Sequence, residues 1–589
     1  MAIIGPVRLS RITVFAIYIV ALGLTSLYGM LVLFDLDVTA LKSSKTDTGT
    51  NTCAYTCKEA RGDSAQIRLL ERSTEPIAYV VGSSHGAKVV LPGQCVCVRA
   101  VVPAQSFDTE TISQADMEEY EPVPGWPADS LIVDLVMQSS QNNAGTHDPL
   151  YLNARVTVSV DMRAVARNQN YNTRVYEGSA QLFDPGEYAL DARIEFRNGQ
   201  WNAEPGQFTP EFHETHMRTT LVTNALVQST VHVERDLKHP TYLQRHQNLP
   251  LCTDGAASGR WIPEKNLPAS WKQWQYMHPA EDRRVWVPYH CRLRRISHAE
   301  FVFHMSRSWP SVHWYGDSNS RRTLRPIVQA GQWCHTNNSM RLDCLCNDAP
   351  KDLFPSEWYA HMPVPHWYRI HTQGVRRDEI YADLRLKEQP PTDPRPILDK
   401  DPIDNHTTYG HDYVPPGYRL RDDYFDLYYL FTRGTLDMQG RHWMRDITQE
   451  AIAPYPNADL VVFQMITWDV AFGSYSTFAR SVGLLARRLR NVYPHAQFVY
   501  RTGPYWCCRN AEDQQKKYSR LRFASFDAHA RAVFRRVLSA RIWDVSGPSS
   551  QRPPEAKRNP ENMPCLSAHS RSELVHLDNQ IFINMLVNK

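Results

Sequence analysis

Apolar and polar positions fall into three regimes along this chain. The first is an uncharged apolar run, Ile12 to Phe34. At about 1.5 Å per residue such a run spans the roughly 30 Å hydrocarbon core of a bilayer. Arg8 and Arg11 precede it, and Asp35 and Asp37 follow it. The positive-inside rule then predicts a cytoplasmic tail (1–11), a membrane anchor (12–34) and a lumenal or extracellular remainder. The run exceeds the ~7–15 apolar residues of a cleaved signal, which favours an uncleaved anchor. Residues 35–60, rich in Ser, Thr and Lys, read as a stem.

From about 61 to 235 the period is two. Ala78-Tyr79-Val80-Val81, Lys88-Val89-Val90-Leu91, Cys95-Val96-Cys97-Val98 and the stretch Ala154 to Val160 predict short strands separated by turn residues. Phe183-Asp184-Pro185-Gly186-Glu187-Tyr188 predicts a turn, followed by a strand from Ala189 to Phe196 that Asn198-Gly199 closes. The spacing fits an immunoglobulin-like β-sandwich.

From about 250 to 589 apolar strands alternate with helices. Expected strands are Ser311 to Tyr315, Ala458 to Met465, Ala496 to Tyr500 and Arg541 to Val545. Expected helices are Phe478 to Val492, with arginines on one face, Phe526 to Leu538, and a closing Asn579 to Leu586. Such alternation predicts an α/β domain with a parallel sheet covered on both faces. Residues 388–425, rich in Pro and Asp, read as a long surface insertion.

Candidate chemistry concentrates at the end of the first of these strands. Val312-His313-Trp314-Tyr315 leads into Gly316-Asp317-Ser318-Asn319-Ser320-Arg321, and a helix is expected from Thr323 to Ala330. Glycine permits a tight turn. A helix start aims N–H groups at any oxyanion formed nearby, so Ser318 is a candidate nucleophile. The bland alternative is an ordinary turn with Asp317 or Ser318 as the helix N-cap. Sites in parallel sheets gather at the carboxyl ends of strands, which is where this turn falls.

Composition narrows the compartment and the partners. The formal charge is +3, with no basic stripe and no long block of like charge, which argues against nucleic acid. Twelve cysteines beyond an anchor imply disulfides in an oxidising lumen. Cys53, Cys57, Cys95 and Cys97 form an even set in the first half, and eight more lie in the second, so pairing within each half is open. Asn337-Asn338-Ser339 and Asn405-His406-Thr407 are sequons.

Cys252 through Gly259-Arg260-Trp261-Ile262, together with the Gly316–Arg321 run, resembles the PC-esterase group. That group includes the NXPE proteins, the plant trichome-birefringence-like polysaccharide acetyltransferases and the sialic-acid O-acetyltransferase. The group's nucleophile motif, Gly-Asp-Ser-x-x-Arg, is matched in full at Gly316–Arg321. The β-sandwich is similar to the neurexophilin-like domain that precedes the esterase domain in NXPE proteins. The resemblance implies an SGNH-hydrolase-like three-layer α/β/α domain. It also implies a catalytic Ser318 with Asp317 beside it, and Gly316 and Arg321 shaping the turn. Two departures stand out. The family ends with Asp-x-x-His before a C-terminal helix. Here His569 is best spaced, but Leu566 occupies the aspartate position, while His576 has Glu573 three residues before it. Asp544 and Glu573 are the candidates for orienting the imidazole. The Gly and Asn that supply oxyanion donors in SGNH-type hydrolases are Ile466 and Trp468 here.

The implied chemistry is acyl transfer through a covalent intermediate. Ser318 acts as nucleophile and His569 as general base. The expected acetyl donor is acetyl-CoA or an acetyl group relayed by a multi-spanning membrane partner, and the expected acceptor is a glycan or polysaccharide. The layout implies a single-pass type II protein of the Golgi or secretory pathway. The alternatives are a glycan acetyl esterase and a non-enzymatic cell-surface binding protein with a degenerate esterase half. No metal is expected. His213-Glu214-Thr215-His216 misses the zinc spacing by one residue, and Cys344-Leu345-Cys346 and Cys507-Cys508 read better as disulfide partners. Asp35-Leu36-Asp37 abuts the membrane too closely for a metal-nucleotide site. Trp358, Tyr359, Trp367 and Tyr368 are candidates for stacking on sugar rings, a role that competes with plain packing.

Overall fold

In the computed structural model the described residues are 53, 74–81, 89–103, 128–138, 154–168, 173–199, 211–217, 227–228, 230–235, 245–267, 282–328, 366–372, 374–381, 423–435, 447–473, 475–504, 519–552 and 572–588. The expected anchor at 12–34, the stem up to residue 52 and both sequons lie outside them. Among the described residues no helix is long and apolar enough to cross a membrane.

The alternating first half folds into two facing sheets. One comprises β1 (Ile77–Val81), β3 (Gln94–Pro103), β6 (Arg163–Asn168), β7 (Thr173–Leu182) and β10 (Val227–Gln228), in the order β10-β1-β3-β7-β6. The other comprises β2 (Val89–Val90), β4 (Ala128–Met137), β5 (Thr157–Val160), β8 (Gly186–Gly199) and β11 (Thr230–Val233), in the order β2-β11-β8-β4-β5, with β9 (Glu211–His216) also on β8. Every second residue points inward. Ala78, Val80, Val98 and Ala100 from one sheet meet Leu131, Val133, Leu135 and Leu190 from the other. Two expectations shift at their edges. The strand expected from 154 pairs only from Thr157, and the one expected from Ala189 already begins at Gly186. Gly186 has φ 151°, which lets the turn end at once and the ladder start.

A two-stranded ribbon, β12 (Gly259–Pro263) with β13 (Arg284–Pro288), joins the halves. The disulfide Cys252–Cys291 clamps its base, and Cys95 and Cys97 are also disulfide-bonded. Fully buried Arg260 faces the Asp184 carboxylate at 3.4 Å, and the Tyr289 hydroxyl donates to the same carboxylate at 2.9 Å. Both halves belong to one compact unit, Tyr55–Lys589.

The second half is a three-layer α/β/α assembly. Its sheet contains β14 (Ser311–Gly316), β15 (His366–His371), β16 (Gly374–Tyr381), β17 (Tyr424–Phe431), β18 (Leu460–Phe463), β19 (Gln497–Arg501) and β20 (Arg541–Trp543). Their order is β16-β15-β17-β14-β18-β19-β20, parallel from β17 to β20 and antiparallel at the β15–β16 edge. Val312 and Trp314 point to one face, under α1 (His298–Ser308), α2 (Ser318–Val328) and the C-terminal helix Ser572–Val587; Trp314 meets Phe582 at 5.5 Å. Tyr315, Val461 and Phe463 point to the other face, which the helices Tyr475–Val492 and Arg520–Leu538 cover. Ser297 caps α1 by accepting the Glu300 N–H, and Ser519 caps Arg520–Leu538 in the same way.

The insertion expected at 388–425 needs a correction at its end. Residues up to 422 lie outside the described ones, but Tyr424 and Phe425 open β17, a central strand. Phe425 and the run Leu427 to Leu430 are buried, so the strand lacks the alternation that marks a half-exposed one.

Candidate active site

Strand β14 is the first of the parallel strands in sequence. The next parallel strand, β17, lies on one side of it, and β18, β19 and β20 lie on the other. The chain therefore reverses its direction of travel at β14, and in open α/β sheets ligands bind outside the carboxyl ends of the strands at such a switch point. Gly316-Asp317-Ser318 is that end.

The turn is tight for identifiable reasons. A Cβ on Gly316 would stand 2.6 Å from the Ser320 Cβ, so only glycine lets the strand pass the first turn of α2. The Gly316 carbonyl accepts the Thr432 N–H at 2.9 Å and the Tyr429 hydroxyl at 3.1 Å. Helix α2 begins at Ser318 itself, five residues before the start expected from sequence. Within the stretch Ser311 to Leu324, Ser318 is the one residue that is not fully buried.

Asp317 is buried directly before Ser318. Its carboxylate accepts the N–H of Asn319 at 2.9 Å and of Ser320 at 3.4 Å, so it caps α2 and sets the turn. Burial pushes it up to about 6, against the hydrogen bond from Thr467, the nearby Arg501 and the two N–H groups. Arg321 is buried, and its guanidinium lies 5.2 Å from the centre of the Phe431 ring, so it packs inside the fold rather than on a helix surface.

Asp544 is heavily engaged. Its Oδ1 accepts the Ser546 hydroxyl (2.7 Å), the Ser546 N–H (3.0 Å) and the Thr502 hydroxyl (3.2 Å), and pairs with Arg531 at 2.8 Å. Burial would raise this carboxyl, but Arg531 and these donors hold it below the usual range. This oxygen fixes the turn after β20. His569 and Leu566 lie outside the described residues, and Glu573 falls in the first turn of Ser572–Val587. His576 lies one turn into that helix and is partly exposed.

The loop after β18 carries Ile466 and Trp468. Ile466 is buried and precedes the short helix Thr467–Phe472. The Trp468 ring lies 5.1 Å from the Arg433 guanidinium. The Asp469 carboxylate accepts the N–H and hydroxyl of Thr435, which ties this loop to the one after β17. Trp367 and Tyr368 are buried in β15, so they are packing residues; Trp358 and Tyr359 lie outside the described residues. Among the described residues no cluster of His, Cys, Asp and Glu could hold a metal.

Sequence reasoning missed Gln464, Thr467, Arg501 and Asp578, which are buried together beneath the turn. Arg501 Nη1 donates to Gln464 Oε1 at 2.6 Å, and Nη2 faces Asp578 Oδ2 at 3.3 Å. Burial pushes Asp578 up to about 7 in spite of Arg501. The available signal was a polar residue ending an apolar strand: Gln464 after Leu460–Phe463, and Arg501 after Phe498-Val499-Tyr500.

No family model and no curated protein matches the chain. Solved structures of slight similarity include a carbohydrate acetylesterase family member and a lipase. The carbohydrate acetylesterase family member, from Sinorhizobium meliloti, has a TM-score of 0.21 at 15% identity, over 27% of this chain and 78% of that one. The extracellular lipase, from Streptomyces rimosus, has a TM-score of 0.17 at 14% identity, over 40% of this chain and 80% of that one.

Proposed function

We propose that this chain is an acyl-transfer enzyme with Ser318 as nucleophile, and that its reaction is O-acetylation of a lumenal glycan. The observation that carries this reading is the partial exposure of Ser318 between the buried stretches 311–317 and 319–324, at the carboxyl end of the strand where the sheet reverses.

In the proposed reaction Ser318 Oγ attacks the acetyl carbonyl carbon while a histidine, His569 by sequence, takes the hydroxyl proton. The donor's carbon–sulfur or carbon–oxygen bond breaks, and the leaving group receives that proton. A sugar hydroxyl then attacks the acetyl-enzyme, and Ser318 regains its proton. Water in place of the sugar makes the same site an esterase. The Asn319 and Ser320 N–H groups point to the Asp317 carboxylate, and the oxyanion is assigned to the Ser318 N–H together with other groups.

The disulfide Cys252–Cys291 supports a secretory compartment, where such bonds persist. The single-pass type II anchor, the Golgi setting and a multi-spanning acetyl-donor partner belong to this proposal. One observation favours the rival reading of a non-enzymatic binding protein. Ile466 and Trp468 stand where the resemblance to SGNH-type hydrolases would put oxyanion donors, and Trp468 packs under Arg433.

The test is acetylation of the purified full-length chain with p-nitrophenyl acetate, read by mass spectrometry of the Ser318 peptide. A Ser318 adduct that is absent in Ser318→Ala and slower to form in His569→Ala supports the reading. An adduct level unchanged in Ser318→Ala would sink it.

A further inference from the structure

A closed ring of hydrogen bonds lies directly beneath Ser318. The Ser320 hydroxyl donates to Gln464 Oε1 at 2.8 Å. Gln464 Nε2 donates to the Thr467 hydroxyl oxygen at 3.1 Å. The Thr467 hydroxyl in turn donates to the Asp317 carboxylate. Asp317 Oδ1 accepts the Ser320 N–H, which returns the ring to the residue where it began. All four side chains are buried.

The ring has a fixed direction, and Arg501 sets it. A guanidinium only donates. Its Nη1 at 2.6 Å from Gln464 therefore requires the amide oxygen there, and the Ser320 hydroxyl converges on the same oxygen. Flipping the amide would press its NH2 against a cation. Nε2 is thus held toward Thr467, and the Thr467 proton is left for Asp317. Gln464 also holds the preceding strand, because its own N–H donates to the Tyr315 carbonyl at 2.9 Å. One side chain and its backbone grip both sides of the Gly316-Asp317-Ser318 turn.

We propose that Gln464, oriented by Arg501, is a positioning residue for the nucleophile: it fixes the turn so that Ser318 Oγ and the Ser318 N–H keep their mutual geometry. The proposal rests on the reading of Ser318 as nucleophile. Gln464 touches no reacting atom and acts through Ser320 and, by way of Thr467, through Asp317.

The experiment compares wild type, Gln464→Leu, Gln464→Glu and Ser320→Ala as full-length chains. Two readouts are taken: amide hydrogen exchange at Asn319 and Ser320, and the rate at which a fluorophosphonate labels Ser318. Gln464→Leu should raise exchange at those two amides and slow labelling about 10- to 100-fold, the scale of a small misplacement of a reacting group. Gln464→Glu keeps the acceptor for Ser320 and Arg501 and should fall between. Ser320→Ala, which removes one donor and leaves the packing, should show the same effects more weakly and serves if Gln464→Leu does not fold. Wild-type labelling and exchange in folded Gln464→Leu, or in Ser320→Ala if only that folds, overturns the ring's role. A wild-type Ser318 that is never labelled overturns the acyl-transfer reading, and with it the purpose assigned to the ring.

Discussion

Gly316 lies so close to Ser320 that a Cβ on the glycine would fall on the Ser320 Oγ. Strand β14 and helix α2 meet at that point, and Ser318 sits between the two residues. Gly316→Ala therefore drives the strand away from the helix. In an unstrained position the same change would stabilise by about 0.4–1 kcal/mol through the unfolded chain. Here we expect a loss of about 1–3 kcal/mol from overpacking, read by urea denaturation. A stability equal to or above wild type would show that the turn relaxes freely.

Asp578 makes stability depend on pH. Its carboxyl titrates near the ordinary 3.8 when unfolded and is raised to about 7 by burial when folded. Between those values the folded state holds the extra proton, so stability falls as pH rises. The slope is at most about 1.4 kcal/mol per pH unit per group. Glu195, also raised to about 7 by burial, and Asp317, raised to about 6, act in the same direction. Denaturant titrations from pH 4 to 7 should show a decline that is shallower in Asp578→Asn. An unchanged slope would remove Asp578 from the account.

Arg260, at the start of the ribbon, pairs with Asp184 of the sandwich. Replacing it with Leu leaves the Asp184 carboxylate buried without its cation, a loss on the order of 3–5 kcal/mol. The double variant Arg260→Leu/Asp184→Asn should recover part of that loss. Thermal unfolding of the two variants checks it, and equal destabilisation in both would show that the charge imbalance is not the cause.

The Cys252–Cys291 bond closes a loop with a sequence separation of 39. Chain entropy assigns such a loop about 4 kcal/mol. Serine at both positions should lower stability by a few kcal/mol without changing the labelling rate of Ser318 in the folded fraction. A stability unchanged by the double substitution would mean that the ribbon β12–β13 is held by its packing alone.

The elements whose pattern repeats were legible in the sequence. The two-residue period of Val96-Cys97-Val98 and Thr157-Val158 marks strands half facing a core, and the apolar Leu460–Phe463 and Phe498–Tyr500 mark strands buried on both sides. Gly316-Asp317-Ser318 pointed to the candidate site because glycine, a capping carboxylate and a hydroxyl at a strand end each have a local physical reason. Where polar residues interrupted the pattern or a Pro- and Asp-rich stretch adjoined it, the reading slipped. Tyr424–Phe431 became a central strand although it follows a Pro- and Asp-rich stretch, and α2 began at Ser318 despite the polar residues of its first turn.

Tertiary structure alone decided which polar residues act together. Gln464, Arg501 and Asp578 are scattered over more than a hundred positions, and no local spacing relates them. They meet because β18 and β19 lie parallel beside β14 and the C-terminal helix packs beneath their ends. Buried donors and acceptors must pair with whatever the fold brings within reach, and that choice follows from strand order. The sequence by itself therefore determined the local elements and the candidate nucleophile. The fold decided that Asp317 caps a helix, that Asp544 fixes a turn, and that Gln464 holds the strand and the helix on either side of Ser318.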